Sequence, residues 1–353
     1  MPFRSMWFRR SSAVAFVAFS VALGACRRVD EPERDEQRAA PTSTATATAT
    51  ATTTRTAPRT LPPPAQLLTL PSSAYQAALF ADDEATELLT SSAAYRLLPG
   101  QAPLMRALDL GVAATVTRRN YVYWSKGALW SEPRRAPNPS GTTKLSALGE
   151  RPQRIVADMV ADEFAFLTRS EGNRYAIATL EDRRPKILYT SPGSIDALTM
   201  IGDSLYFVER PGGPDFRIAR VKLTGGAASF SSTKSGRWPA LLGGEKELVY
   251  YDGARRNVLS LSPDLQQERV LAKDFICSPF AVAASVYCST MEGIFELAAT
   301  GEPQQVVPAP RQLITNLVAT SQRLVFITDA GAQGQDQLAV YGVPLEKPSQ
   351  PPH

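Results

Sequence analysis

Histidine is nearly missing: the single histidine among the 353 residues is His353, the last one. Chemistry that needs an imidazole inside the fold, a serine-hydrolase triad above all, is thereby excluded. Cysteine is scarce as well, with only Cys26, Cys277 and Cys288. No histidine or further cysteine stands near the last two to complete four ligands, so a zinc site is not expected. The chain holds no Gly-x-Ser-x-Gly elbow, no Walker loop and no EF-hand loop, and no cofactor is expected. Charge is no guide to nucleic acid either. Lys plus Arg is 38 against 34 for Asp plus Glu, a formal +4, and three of the positives (Arg4, Arg9 and Arg10) lie in the first ten residues, leaving +1 for the rest. No Lys/Arg cluster interleaves with aromatics, so no nucleic-acid partner is expected.

The first residues carry an address. Arg4, Arg9 and Arg10 form a basic stretch, and the apolar run Ala13 to Leu23 is too short to span a bilayer. It ends in Leu23-Gly24-Ala25-Cys26, which resembles the lipobox of bacterial lipoproteins. The resemblance implies a signal peptide over 1–25 and acylation of Cys26; the alternative is an ordinary secretory signal. Several acyl chains give stable membrane anchoring where one does not. Arg27 follows Cys26, and the absence of an Asp there implies the outer membrane by the same resemblance, with the protein on its periplasmic face.

Residues 26–64 read as a disordered tether. Mixed charge is followed by a Thr/Ala tract from Pro41 to Thr54 and by Leu61-Pro-Pro-Pro64, none of which can bury an apolar face. A flexible chain of about 38 residues spans roughly 30–40 Å root-mean-square. The plain reading is a spacer, with O-glycosylation or passage through peptidoglycan as the alternative. The Pro-rich segment 346–353 is also expected to be disordered.

Between these ends one short pattern recurs. Tyr121-Val-Tyr-Trp, Phe164-Ala-Phe-Leu, Leu205-Tyr-Phe-Val, Leu248-Val-Tyr-Tyr, Val286-Tyr-Cys-Ser and Leu324-Val-Phe-Ile begin 43, 41, 43, 38 and 38 residues apart. A period near 40 built of short strands predicts an all-β fold, a β-propeller. The repeated strand is apolar at odd and even positions alike, as a strand covered on both faces should be. Counting units predicts seven four-stranded blades over 65–345, or six if the degenerate unit 74–110, with Thr86-Glu-Leu-Leu-Thr in place of the aromatic strand, is not a blade. The last unit has three strands of its own, and Ala65 to Leu70 is left over. That run is predicted to close the ring as the fourth strand of the last blade, since closure removes exposed edges.

Leu248-Val-Tyr-Tyr-Asp with Gly253 and Leu259-Ser-Leu-Ser-Pro resembles exported bacterial propellers of the TolB and LDL-receptor-propeller-like kind. With the lipobox and tether, the chain is similar to propeller lipoproteins of high-GC bacteria such as myxobacteria. The likeness covers roughly 65–345 and is one of pattern. The Gly-His and Trp-Asp dipeptides of WD40 repeats and the paired glycines of Kelch repeats are absent, and no family catalytic motif falls on any position.

Candidate site residues are few. Cys277 and Cys288 fall in the first two strands of one unit, and folding that hairpin about 282–283 places them opposite each other. In an oxidising compartment this predicts a disulfide, the alternative being two buried thiols. Asp158, Asp196 and Asn316 lie on predicted inner strands, facing a central channel. Arg154, Arg237 and Arg311 lie where inner strands begin and would ring one mouth of it. A polar channel lining is ordinary in a propeller. Asp82-Asp-Glu84, Arg183-Arg184 and Arg255-Arg256 read as solvated turns. The expected function is a lipid-anchored, monomeric, non-catalytic scaffold that binds an envelope protein, a peptide or a glycan. The alternatives are a glycan- or peptide-acting enzyme using channel carboxylates and a ligand-sensing domain.

Overall fold

The computed structural model describes residues 61–345, apart from 72–76, 111–112, 136–140, 149, 236–239, 245–246, 279, 299–301, 311 and 330–336. Seven antiparallel sheets make up the ring; six run along the chain as a meander from a first strand to a fourth, two short strands sharing the outer position of the fourth sheet, and the seventh takes its outer strand from the start of the described chain. The first strands are Ala78–Ala81, Ala114–Val116, Arg154–Ala157, Ser194–Ile201, Ala240–Gly243, Phe280–Val282 and Leu313–Ala319. They run side by side around the axis and are the inner strands of blades 1 to 7. The degenerate unit is a true blade: Thr86–Leu89 pairs with Ala78–Ala81 on one side and Ala93–Leu97 on the other.

The repeated aromatic strand explains how the ring holds together. In blade 4 the second strand buries Leu205, Tyr206, Phe207 and Val208 almost completely. Leu205 and Phe207 pack with Ala165, Ile177 and Leu188 of blade 3. Tyr206 and Val208, pointing the other way, pack with Leu248, Tyr250 and Leu259 of blade 5. The period-two alternation of a strand thus feeds two cores at once. The apolar interior divides into seven such clusters, each straddling one blade boundary.

Closure follows the expectation. Strand Ala65–Pro71 pairs with Gln337–Pro344 of blade 7, with Ala65 opposite Gly342 and Pro71 opposite Gln337. Leu70 is buried in the core between blades 7 and 1. A bulge between Gln66 and Leu68 turns Leu67 over Gly342, where an added Cβ would come within 3.0 Å of the Leu67 Cδ1.

Because the first three strands of every blade run in the same up-and-down order, the ring has two distinct faces. Turns joining first to second strands and third to fourth strands lie on one, called proximal here because both described ends of the propeller reach it. There Leu61 packs with Leu345, and its N–H donates to the Val306 carbonyl at 3.2 Å. Turns joining second to third strands, and the connections between blades, lie on the other, the distal face.

Candidate functional site

The inner strands define one slot per blade, the residue paired just beyond the core aromatic position. Six of its occupants are Ala78, Ala113, Ala197, Ala240, Ser278 and Asn316, opposite Leu89, Trp124, Val208, Tyr251, Ser289 and Ile327. The seventh is Arg154, opposite Leu167. Small residues suit strands that converge on an axis. One guanidinium among them does not follow from packing.

The slot residue leans toward the next blade round the ring: Ala113 joins the core between blades 2 and 3, and Ala197 that between blades 4 and 5. Arg154 accordingly leans over the inner strand of blade 4. Together with Gln153, Leu167, Ile195, Asp196, Ala197 and Leu198 it lines a pocket of about 120 Å³. Arg154 is exposed by surface area. Yet burial among protein atoms lowers its pKa from the ordinary arginine value, and no neighbouring carboxylate offsets that. The two observations agree for a side chain surrounded by protein walls but open to water through a channel. Since the proton stays on at any physiological pH, Arg154 is a permanent cation.

Asp196 reaches the same pocket through a bulge, because the register of Ser194–Ile201 slips between Ile195 and Ala197. Its charge is already answered. The Arg210 guanidinium ion-pairs with Oδ2, and the Ser194 hydroxyl donates to Oδ1 at 3.2 Å. Arg154 and Asp196 therefore line one pocket at the distal ends of neighbouring inner strands. Asn316 also lies on an inner strand, half-buried, in the slot of blade 7. Arg237, Arg311 and Cys26 lie outside the described residues.

Asp158 is placed differently. The inner strand of blade 3 stops at Ala157, so Asp158 sits in the proximal turn and not on the channel wall. Its carboxylate accepts from the Val160 N–H at 3.0 Å and from the Gly202 N–H of blade 4 at 2.9 Å. It is a turn cap and a tie between blades.

Cys277 and Cys288 form a disulfide with Cα atoms 5.6 Å apart. The hairpin register differs from that read in the sequence. Val282 pairs with Val286 and Phe280 with Cys288, so Cys277 reaches Cys288 from the connection before the strand. Both sulfurs are buried in the core between blades 5 and 6.

The densest polar cluster was read as a solvated turn and a degenerate strand. Glu87, fully buried, accepts from Arg134 Nε and Nη2 at 3.1 and 2.9 Å through Oε1, and from the Tyr121 hydroxyl at 2.8 Å through Oε2. Arg134 Nη2 also donates to Asp82 at 3.0 Å, and Arg96 Nη1 lies 3.3 Å from Glu87. Burial opposes ionisation of Asp82, but the Ala85 N–H and Arg134 together hold its carboxyl below the usual range. Burial first, and the Glu87 charge second, raise the Tyr121 pKa. The one signal in the sequence was a glutamate within a strand that is apolar in other blades. The cluster ties blade 1 to blade 2. A similar knot forms where Glu209, fully buried, accepts from Tyr189 and Ser191 at 2.6 Å and from Arg217 Nε at 2.8 Å.

A wider groove of about 590 Å³ opens between blades 3 and 4 on the proximal side, lined by residues that include Glu163, Glu181, Lys186, Asp203 and Leu223. Among the described residues no three of His, Cys, Asp and Glu gather as metal ligands.

Among solved structures, the ring is similar to U3-55K, with a TM-score of 0.54 at 11% identity, over 78% of this chain and 98% of that one. It is similar to a puromycin-hydrolyzing peptidase of Mycobacterium tuberculosis, with a TM-score of 0.50 at 13% identity, over 77% of this chain and 52% of that one. TolB from Acinetobacter baumannii overlaps 77% of this chain and 79% of its own at a TM-score of 0.43 and 12% identity. Likeness at these identities shows the propeller fold alone. No protein-family model matches the sequence, and no curated protein matches it.

Proposed function

We propose that the chain is a non-catalytic binding scaffold, anchored through Cys26 to the periplasmic side of the outer membrane, that presents its distal face to an envelope protein. The reading rests chiefly on the contrast between the faces. Several proximal turns are bonded to their neighbours and both described ends of the propeller lie on that face, whereas distal loops carry exposed apolar side chains. Ile276, Met291 and Leu313, on the neighbouring blades 6 and 7, are 61%, 90% and 62% exposed there. Exposed apolar groups of this size mark interaction surfaces when they share one face. The channel supports binding over catalysis, since among the described slot residues there is no carboxylate pair and Asp196 is neutralised by Arg210.

The test is site-specific photocrosslinking in living cells from two exposed apolar positions. Met291 stands on the distal face and Val160, 71% exposed, on the proximal one. A discrete protein adduct from Met291 but not from Val160 is expected. Adducts from Val160 alone, or none from either, would overturn the reading. The anchor is tested separately by metabolic labelling with a fatty acid, which Cys26→Ser should abolish.

A further inference from the structure

Arg154 is the point where the ring departs from its own repeat. Ala, Ser or Asn fills the slot in the six other blades, and the fold has no structural use for the guanidinium. No carboxylate of the described residues pairs with it, and protein atoms crowd it without compensation. Leu167, Ile195 and Leu198 supply an apolar wall beside it, and the Gln153 amide a further hydrogen-bonding group. The pocket's volume of about 120 Å³ exceeds by several-fold the roughly 10–15 Å³ that admits a single water.

We infer that this distal pocket binds a carboxylate on a short aliphatic stem, the carboxylate on the Arg154 fork and the stem against Leu167, Ile195 and Leu198. The inference rests on the distal-face reading and names the chemistry recognised there. A planar guanidinium matches a carboxylate through two parallel N–H···O bonds. A doubly charged phosphate fits less well. It would meet one cation only, with the Asp196 carboxylate in the same wall. The ligand group can come from a free small acid or from an acidic side chain of a protein partner, and the two share this chemistry.

The test uses the full chain in detergent, with the Arg154 Nε–H resonance followed by NMR and assigned by its loss in Arg154→Lys. Two probes are titrated: butyrate, and a peptide with one internal glutamate, acetylated and amidated at its ends. A saturable shift with either supports the inference. Butyrate alone points to a free acid as the source, and the peptide alone to a protein partner. By isothermal titration calorimetry, run on parent and variants alike, Arg154→Ala should bind neither, and Arg154→Lys about tenfold more weakly than the parent, because it keeps the charge and loses the fork. Thermal melting should be unchanged in both variants, since the guanidinium has no internal partner. No saturable shift with either probe, or undiminished binding by Arg154→Ala, would overturn the inference. Loss of this binding with Met291 adducts intact sinks the pocket and leaves the scaffold. Binding without adducts sinks the scaffold and leaves the pocket.

Discussion

The two faces of the ring are made by the same meander, yet they spend their polar groups differently. On the proximal face the turns of most blades are tied to a neighbouring blade. Arg134 bonds Asp82 at 3.0 Å, the Arg118 N–H bonds the Ala161 carbonyl at 2.9 Å, and the Gly202 N–H bonds Asp158 at 2.9 Å. The Gly243 N–H bonds Thr199 at 3.2 Å, and the Ser321 hydroxyl bonds Asp83 at 2.7 Å. Between blades 5 and 6, Gly244 comes so close to Val282 that an added Cβ would lie 2.3 Å from its Cγ1. Distal polar contacts stay mainly within one blade or the connection leading into it: Arg210 to Asp196, Ser125 to Asp109, Thr328 to Gln312, and the disulfide. One exception is Glu209, which joins blades 3 and 4. One face is built to keep the ring shut. The other is left with groups to spend on something else.

The contrast breaks most severely if closure is removed. Deleting 61–71 takes the fourth strand from blade 7, Leu70 from the core between blades 7 and 1, and Leu61 from that between blades 6 and 7. The exposed edge of Gln337–Pro344 would then be free to pair with another chain. The expected outcome is loss of the cooperative melt and oligomers in size-exclusion chromatography. A monomer with an unchanged melt would show that closure lies elsewhere.

Next in size is the proximal ion cluster. Glu87→Ala leaves Arg134, itself nearly inaccessible, without its main counter-charge. Removing one partner of a buried pair costs about 3–5 kcal/mol. Chemical denaturation should show a loss of that order, and a change below about 1 kcal/mol would mean that the cluster is not the clamp between blades 1 and 2.

How much of this could be read beforehand divides along the same line. The period was legible because the second strand is covered by both neighbours, so Tyr206 and Phe207 both had to be apolar. The closing strand was legible because Ala65 to Leu70 was left over. Contacts between blades were not. Arg134 lies 47 residues from Glu87 and 52 from Asp82, and no local pattern announces such pairs. Glu87 read as a lapse in an aromatic repeat, and Asp82 as a solvated turn. The Cys277–Cys288 register escaped for another reason: the symmetric midpoint ignores the irregular connection that carries Cys277. The repeat puts Arg154 at a channel mouth and Asp196 on an inner strand facing the channel. What made Arg154 stand out, six small residues in the equivalent slots, needed the pairing of every inner strand.

A smaller effect sharpens the comparison through pH. Burial and the nearby carboxylates Glu87, Glu209 and Glu268 raise the folded pKa of Tyr121, Tyr189 and Tyr250 above the ordinary 10.0. Neutral tyrosine is thus favoured by folding. The stability it contributes is complete below pH 10 and falls once unfolded tyrosines ionise above it. Melting temperature should drop steeply above about pH 10. Tyr121→Phe should cost about 1 kcal/mol at neutral pH, for the lost bond to Glu87, and should make the alkaline decline shallower by one proton. An unaltered alkaline slope would mean that Tyr121 ionises alike in both states.

The smallest expected effect is the most telling for the distal face. Met291 lies in the turn between Val286–Thr290 and Gly293–Leu297 and is 90% exposed. Met291→Ser removes an apolar group that buries almost nothing against its own chain, so the change in stability should stay within about 0.5 kcal/mol. A larger loss on denaturation would show that the distal loops serve the ring after all. If stability holds while partner capture in cells falls, Met291 does its work outside the fold. That result would separate the two faces by function as the hydrogen bonds separate them by structure.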